Sequence, residues 1–171
     1  MFRSARGWLV TGCAVVAIAA GAAPAGADSP RQYVETSDFT LSGYCTFDVA
    51  VHFVRSNEYV IRETTLPDNT VIDKVTGNLA VKLTNLSTGE TRTYQINGPG
   101  TATFSPDGSF SVEAAGPNLY WTLPENLPES PAGVPTLSYT NGYLAFAVDA
   151  SGQTTSYVHH GTTTDVCAQL A

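Results

Sequence analysis

The chain has 171 residues and carries fifteen acidic against eight basic residues, a formal charge of −7 at neutral pH. Two of the basic residues, Arg3 and Arg6, lie in the first few positions, so the rest of the chain is more acidic still. Such a balance argues against binding nucleic acid or anionic lipid, both of which reward clustered Lys and Arg.

Residues 1–27 read as a signal peptide. Arg3 and Arg6 precede an uncharged apolar run from Leu9 to Ala20, and Ala25-Gly26-Ala27 has the small-x-small form of a cleavage site. The run falls short of the roughly 20 residues that a spanning helix needs. Cleavage after Ala27 is expected. Val10-Thr11-Gly12-Cys13 resembles a lipobox only weakly, because most of the apolar run follows Cys13. The remainder suits a flexible N-terminal arm over 28–38 and a single β domain over 39–171. No later stretch is apolar and long enough to enter a membrane. The mature chain is therefore expected to be secreted, in the extracellular space or the cell envelope, without membrane insertion and as a monomer.

Cys45 and Cys167 remain after cleavage. An even count in an exported chain points to a disulfide, closing a loop of about 120 residues. Two free thiols or a metal site are the alternatives, and the spacing has no zinc signature.

Phe39-Thr40-Leu41 suggests a short edge strand. The next is clearer: Phe47, Val49, Val51 and Phe53 alternate with Asp48, Ala50, His52 and Val54. Arg55-Ser56-Asn57 is expected to turn it, with a return strand over Glu58–Thr65. Leu66-Pro67-Asp68-Asn69 turns again before Thr70–Val75. From Gly77 to Gly108 three consecutive strands carry Leu79, Val81 and Leu83, then Tyr94 and Ile96, then Ala102 and Phe104. Ser87-Thr88-Gly89, Gly98-Pro99-Gly100 and Pro106-Asp107-Gly108 punctuate them. Ser109–Ala114 follows, and Gly116-Pro117-Asn118 leads into Leu119-Tyr120-Trp121-Thr122. A proline-rich connection then runs from Leu123 to Pro135, where prolines cannot donate to a sheet. Thr136–Thr140 resumes the pattern, Asn141-Gly142 signals a hairpin, and Tyr143–Asp149 and Gln153–His160 are the last strands. Asp165 is placed to cap a final helical turn carrying Val166, Cys167 and Leu170.

Many short strands joined by short turns predict an all-β fold: an antiparallel meander barrel of about 8–10 strands, with a two-sheet sandwich as the alternative. In a closed barrel the first long strand and the last would be neighbours, bringing Cys45 to Cys167.

Four pieces carry a resemblance. Ser42-Gly43-Tyr44-Cys45-Thr46-Phe47-Asp48-Val49, Leu83-Thr84-Asn85-Leu86, Asn97-Gly98-Pro99-Gly100 and Thr164-Asp165-Val166-Cys167-Ala168-Gln169-Leu170-Ala171 together resemble a group of uncharacterised small exported β-rich proteins of actinobacteria. The resemblance spans most of the mature chain and implies an extracellular or envelope location. It brings no activity and assigns no functional residue.

The residues offer little chemistry. His52, His159 and His160 should not converge, since neighbours in a strand face opposite ways. No G-x-S-x-G elbow is present. The acids sit in turns and on outer faces, and Asp68, Asp73, Asp107 and Asp149 lack the spacing of a calcium loop. No catalytic residue, metal or cofactor is assigned. Tyr120, Trp121 and Tyr139, beside the proline-rich connection, are the candidate ligand contacts, because aromatics next to a long loop suit a sugar ring, a peptide or another flat surface. The reading that follows is a non-catalytic binding module for a small ligand or a surface partner. The alternatives are an envelope structural or interaction protein without a pocket and, below that, an extracellular hydrolase or isomerase.

Overall fold

The computed structural model describes residues 31–122, 131 and 133–171. The expected signal peptide and most of the proline-rich connection lie outside the described residues. The fold is all-β. Its strands are β1 (Gln32–Tyr33), β2 (Phe39–Leu41), β3 (Val49–Thr65), β4 (Val71–Asn85), β5 (Thr91–Gln95), β6 (Gly100–Phe104), β7 (Phe110–Trp121), β8 (Leu137–Val148) and β9 (Thr154–Asp165), followed by helix α1 (Val166–Leu170). All described strands join one antiparallel sheet in the order β1-β3-β4-β6-β7-β8-β9, with β2 on β3 and β5 on β4. Gln32 and Tyr33, within the segment expected as an arm, pair with β3, and Val34 is buried.

The strands are fewer turns and more length than the sequence suggested. Arg55-Ser56-Asn57 does not turn the chain: β3 runs through it for 17 residues against the 15 of β4. The register instead slips between Phe53 and Arg55 and again between Val60 and Arg62. Each slip is a β-bulge that ejects one residue, Val54 and Ile61, to the outer surface. Because each bulge shifts the alternation by one, the inward set reads Val49, Val51, Phe53, Ser56, Glu58, Val60, Glu63. These lie opposite Asn85, Leu83, Val81, Leu79, Gly77, Val75 and Asp73 of β4.

Strands β5 and β6 are one partner of β4 broken in the middle. Thr91–Gln95 pairs with the second half of β4 and Gly100–Phe104 with the first. Between them the strand breaks over Ile96–Pro99: the Ile96 amide still donates to the Leu79 carbonyl of β4, and the Ala115 amide donates to the Pro99 carbonyl. Beyond that point β7 continues with β8 and no longer with β6, so the sheet divides into two arms. Leu41, Val49, Val51, Val81, Leu83 and Tyr94 from one arm pack against Leu119, Trp121, Leu137, Val166 and Leu170 from the other.

The closed barrel expected from the short connections does not form. Among the described residues β9 pairs with β8 alone and β3 with β1, β2 and β4. What joins the two arms is the chain end. Cys45 and Cys167 form a disulfide with a Cα separation of 5.4 Å. Asp165 caps α1, accepting from the Ala168 amide, as expected. The helix's last carbonyls, which have no partner within the helix, are met by the other arm: Asn85 Nδ2 donates to the Leu170 carbonyl at 2.8 Å and Arg92 Nε to that of Gln169 at 3.4 Å. The Tyr94 hydroxyl adds a bond to Gln169 Oε1. A crosslink over so long a loop contributes roughly 4–5 kcal/mol by chain-entropy reasoning.

Asn141-Gly142 and Gly116-Pro117-Asn118 also lie inside strands rather than at turns. Gly116 pairs with Gly142, and Gly142 with Gly161, so three glycines line up across β7, β8 and β9. All three have positive φ, 81°, 131° and 147°. A Cβ on Gly142 would sit 2.1 Å from the His160 carbonyl oxygen and one on Gly161 2.0 Å from that of Asn141. The row is a crease, and it sets the part of β7–β9 that closes on the first arm apart from the part that stays with β6. Gly142→Ala should therefore lower stability by about 2 kcal/mol or more in urea denaturation. Gly108→Ala, in a hairpin turn where a Cβ meets nothing within 4 Å, should cost only about 1 kcal/mol for its left-handed backbone. Equal effects would remove the crease as a structural constraint.

Candidate functional site

The division of the sheet leaves a hollow where the arms part. Its floor is made of residues with little or no side chain: Gly98, Gly100, Ala102 and Ala114. Gly100 faces Val75 on one side and Ala114 on the other, while Ala102 lies between Asp73 and Val112. Larger side chains stand around them, including Val34, Val60, Leu79, Ile96, Phe104 and Leu119. The result is a half-open cavity of about 130 Å³. That approaches the roughly 150 Å³ of an apolar cavity known to hold benzene.

Two carboxyl groups line this mostly apolar hollow, Glu58 on β3 and Asp73 on β4. Both occupy inward positions, in line with the valines and leucines of the core. Asp73 is 6% exposed, and its Oδ1 has no hydrogen-bond partner among the described residues. Burial disfavours the charged form of each. It lifts Glu58 to about 7. Asp73 rises to about 6 through burial first and then the negative charge of Glu63, which sits directly across the ladder. Lys74 and Arg62 pair with each other on the outward face, exposed to solvent. The acids expected on turns and outer faces thus include two that point inward.

The aromatic residues singled out from sequence are not brought together. Tyr120 and Trp121 lie on opposite faces of β7, both buried. Tyr120 packs against Phe146 and Tyr157, whereas Trp121 meets Phe39 in the core between the arms. Tyr139, half-buried, packs against Tyr94 in a tilted arrangement with ring centroids 4.9 Å apart. All three serve packing, and none lines the hollow. The histidines stay apart as anticipated: His52 pairs with Asp38, His159 with Thr163, and His160 stacks on Tyr143. Asp107 and Asp149 spend an oxygen on their own turns, accepting from Ser109 and Ser151. No group of three or more His, Cys, Asp or Glu that could hold a metal occurs among the described residues.

Sequence reasoning missed Glu58 and Asp73, although one signal was present. In Val71-Asp73-Val75-Gly77-Leu79-Val81-Leu83 every second residue from 71 to 83 faces inward, and Asp73 is the one charged member. Splitting this segment into two strands hid the pattern.

The chain matches no protein-family model, and comparison with curated proteins and with solved structures finds no relative.

The two carboxyls set a pH dependence. Each has a folded-state pKa above its ordinary value, 3.8 for Asp73 and 4.5 for Glu58. The folded protein therefore holds protons that the unfolded chain releases, and stability falls as pH rises from about 4 to about 7. The loss is of order 3 kcal/mol per group. Asp38, Asp68, Asp107 and Asp149 are shifted down by hydrogen bonds, so their contribution is lost only below roughly pH 4. Thermal stability should peak near pH 4–5 and decline toward neutrality. Asp73→Asn should flatten that decline and raise the melting temperature at pH 7.5. A wild-type curve that rises from pH 5 to 7.5 would contradict the buried placement of both carboxyls.

Proposed function

We propose that this chain is a non-catalytic binding module that holds a small ligand in the hollow between its arms. One observation carries the reading: the hollow is built from small residues at the point where larger ones would have completed the core, and polar groups line it in small number. That combination is the usual composition of a ligand site, apolar walls with a few placed polar groups. A cavity that served only stability would be better filled, since each missing methylene costs packing energy. The disulfide supports a working place outside the reducing cytoplasm, in keeping with an exported protein of the secreted or envelope kind. No helix among the described residues is long and apolar enough to cross a membrane.

A surface-interaction role is the second reading, and a specific patch favours it. Tyr143 and Val158 are exposed on the outer face of β8 and β9, with His160 stacked on Tyr143, beside a strand that pairs on one side only among the described residues.

Native mass spectrometry of the protein taken from its own host separates the two. The binding reading expects a reproducible added mass that is lost on denaturation. Ala102→Phe, which would fill the floor of the hollow, should release that mass while the protein stays folded by circular dichroism. A bare wild-type chain would transfer the weight to the surface patch.

A further inference from the structure

We propose that the ligand of this hollow is a small amphiphilic cation, an ammonium group on a compact apolar body, with the charge held by Asp73 and Glu58 and the body seated over Gly98, Gly100, Ala102 and Ala114. This inference rests on the binding reading and names its ligand class.

The fold leaves charge unbalanced at this hollow. Asp73 is more than nine-tenths buried, lines the hollow, and has an oxygen without a partner among the described residues. Buried carboxylates are normally paired or hydrogen-bonded, because an isolated one loses its hydration without replacement. The elements packed around it supply no such partner. Strand β3 presents Glu58 and Glu63 on the inward side, and its Arg62 faces outward. Strand β4 presents Val75 and Gly77 inward, with Lys74 outward. Strand β6 offers Gly100, Ala102 and Phe104, and β7 offers Val112 and Ala114, with Glu113 exposed on the opposite side. From the N-terminal segment comes Val34, while Arg31 lies over the Tyr59 ring at 3.8 Å. Three acids and no base therefore face the inward side at this end of β3 and β4.

A proton can answer that imbalance, and at low pH it does. A ligand cation answers it better near neutrality, since it brings both a charge and hydrogen-bond donors to carboxylates that have little water to compete. An anion would meet repulsion from all three acids. A neutral ligand would gain the apolar contact alone, together with a hydrogen bond to whichever carboxyl is protonated. The size of the hollow restricts the apolar body to about one ring, by comparison with the roughly 150 Å³ benzene cavity.

The linkage has a definite sign. Binding a cation favours the ionised carboxyls, whose ordinary proton-bound state persists up to about 7 for Glu58 and about 6 for Asp73. Affinity for a cation must then rise with pH across that range, with proton release on binding. Affinity for a neutral isostere must stay level or fall.

The test uses three isosteres on the full-length protein purified after export: benzylammonium, benzyl alcohol and benzoate. Backbone amide shifts are followed by NMR at pH 5 and pH 8. Benzylammonium should bind at pH 8 with shifts centred on Gly98, Gly100, Ala102 and Ala114, at least tenfold more tightly than benzyl alcohol. It should weaken at least tenfold at pH 5. Benzoate should not bind. Asp73→Asn and, independently, Glu58→Gln should remove the preference for the cation while leaving benzyl alcohol binding unchanged. Equal affinity for benzylammonium and benzyl alcohol, or a benzylammonium affinity indifferent to pH or to both substitutions, overturns the cation and leaves the pocket standing. Failure of all three probes at both pH values overturns the pocket reading and this inference with it.

Discussion

The ladder between β3 and β4 is the constraint on which the rest depends. It joins Val49–Thr65 to Val71–Asn85 through fifteen register pairs. Every other strand up to β6 is laid on one of these two: β1 and β2 on β3, β5 and β6 on β4. Its register also decides which side chains face inward. A shift of one residue would send Val51, Val60, Leu79 and Leu83 to solvent and carry Asp73 and Glu58 with them. Core and candidate site are therefore fixed by the same hydrogen bonds. The two bulges are the devices that make this possible over such a length, bending the long strand and correcting its alternation twice.

An open sheet must solve two problems that a barrel avoids: its edges stay unpaired, and its halves need something to hold them together. Here the halves are held by side chains and by the chain end. The core between the arms supplies apolar burial, the Cys45–Cys167 bridge supplies a covalent tie, and α1 inserts with Val166 and Leu170 wholly buried. Asn85 is central to the seam. Its amide nitrogen meets the helix end, and its oxygen accepts from the Ser87 and Thr88 amides in the adjoining turn. Removing it would leave the carbonyl of the buried Leu170 without its partner, the costly side of hydrogen-bond accounting, and return the Ser87 and Thr88 amides of the exposed turn to water. The hollow sits just beyond this seam, where the arms have separated but the sheet is still continuous.

Local features of the sequence carried much of this. The turns at Pro67-Asp68-Asn69, Ser87-Thr88-Gly89 and Pro106-Asp107-Gly108 and the cap at Asp165 follow from nearby residues, the pairing of the two cysteines follows from their even count, and all are present in the structure. Features that depend on a partner strand were not legible. Arg55-Ser56-Asn57 and Asn141-Gly142 have the composition of turns, yet a bulge and a crease use the same residues for the same freedom of backbone. Openness of the sheet was hidden for a similar reason: whether β3 meets β9 depends on accumulated twist and on the break at Ile96–Pro99, and neither is written in hairpin lengths. The candidate site was half-visible. The inward position of Asp73 could be read from its valine and leucine neighbours, but that of Glu58 required knowing that Val54 bulges. Tyr120 and Trp121 drew attention by size, whereas the hollow is defined by the small residues Gly98, Gly100, Ala102 and Ala114, whose significance lies in what they fail to fill.

The proposed function depends on two carboxyls pointing into an apolar hollow without a basic partner. Carbon-detected NMR titration of the side-chain carboxyls in the ligand-free protein addresses it directly. Glu58 is expected to titrate near pH 7 and Asp73 near pH 6, well apart from the turn aspartates, whose hydrogen bonds hold them below their usual range. Midpoints near the ordinary value of about 4 for both groups would mean that water or an unrecognised partner already solvates them. The hollow would then have no unsatisfied charge with which to select a ligand.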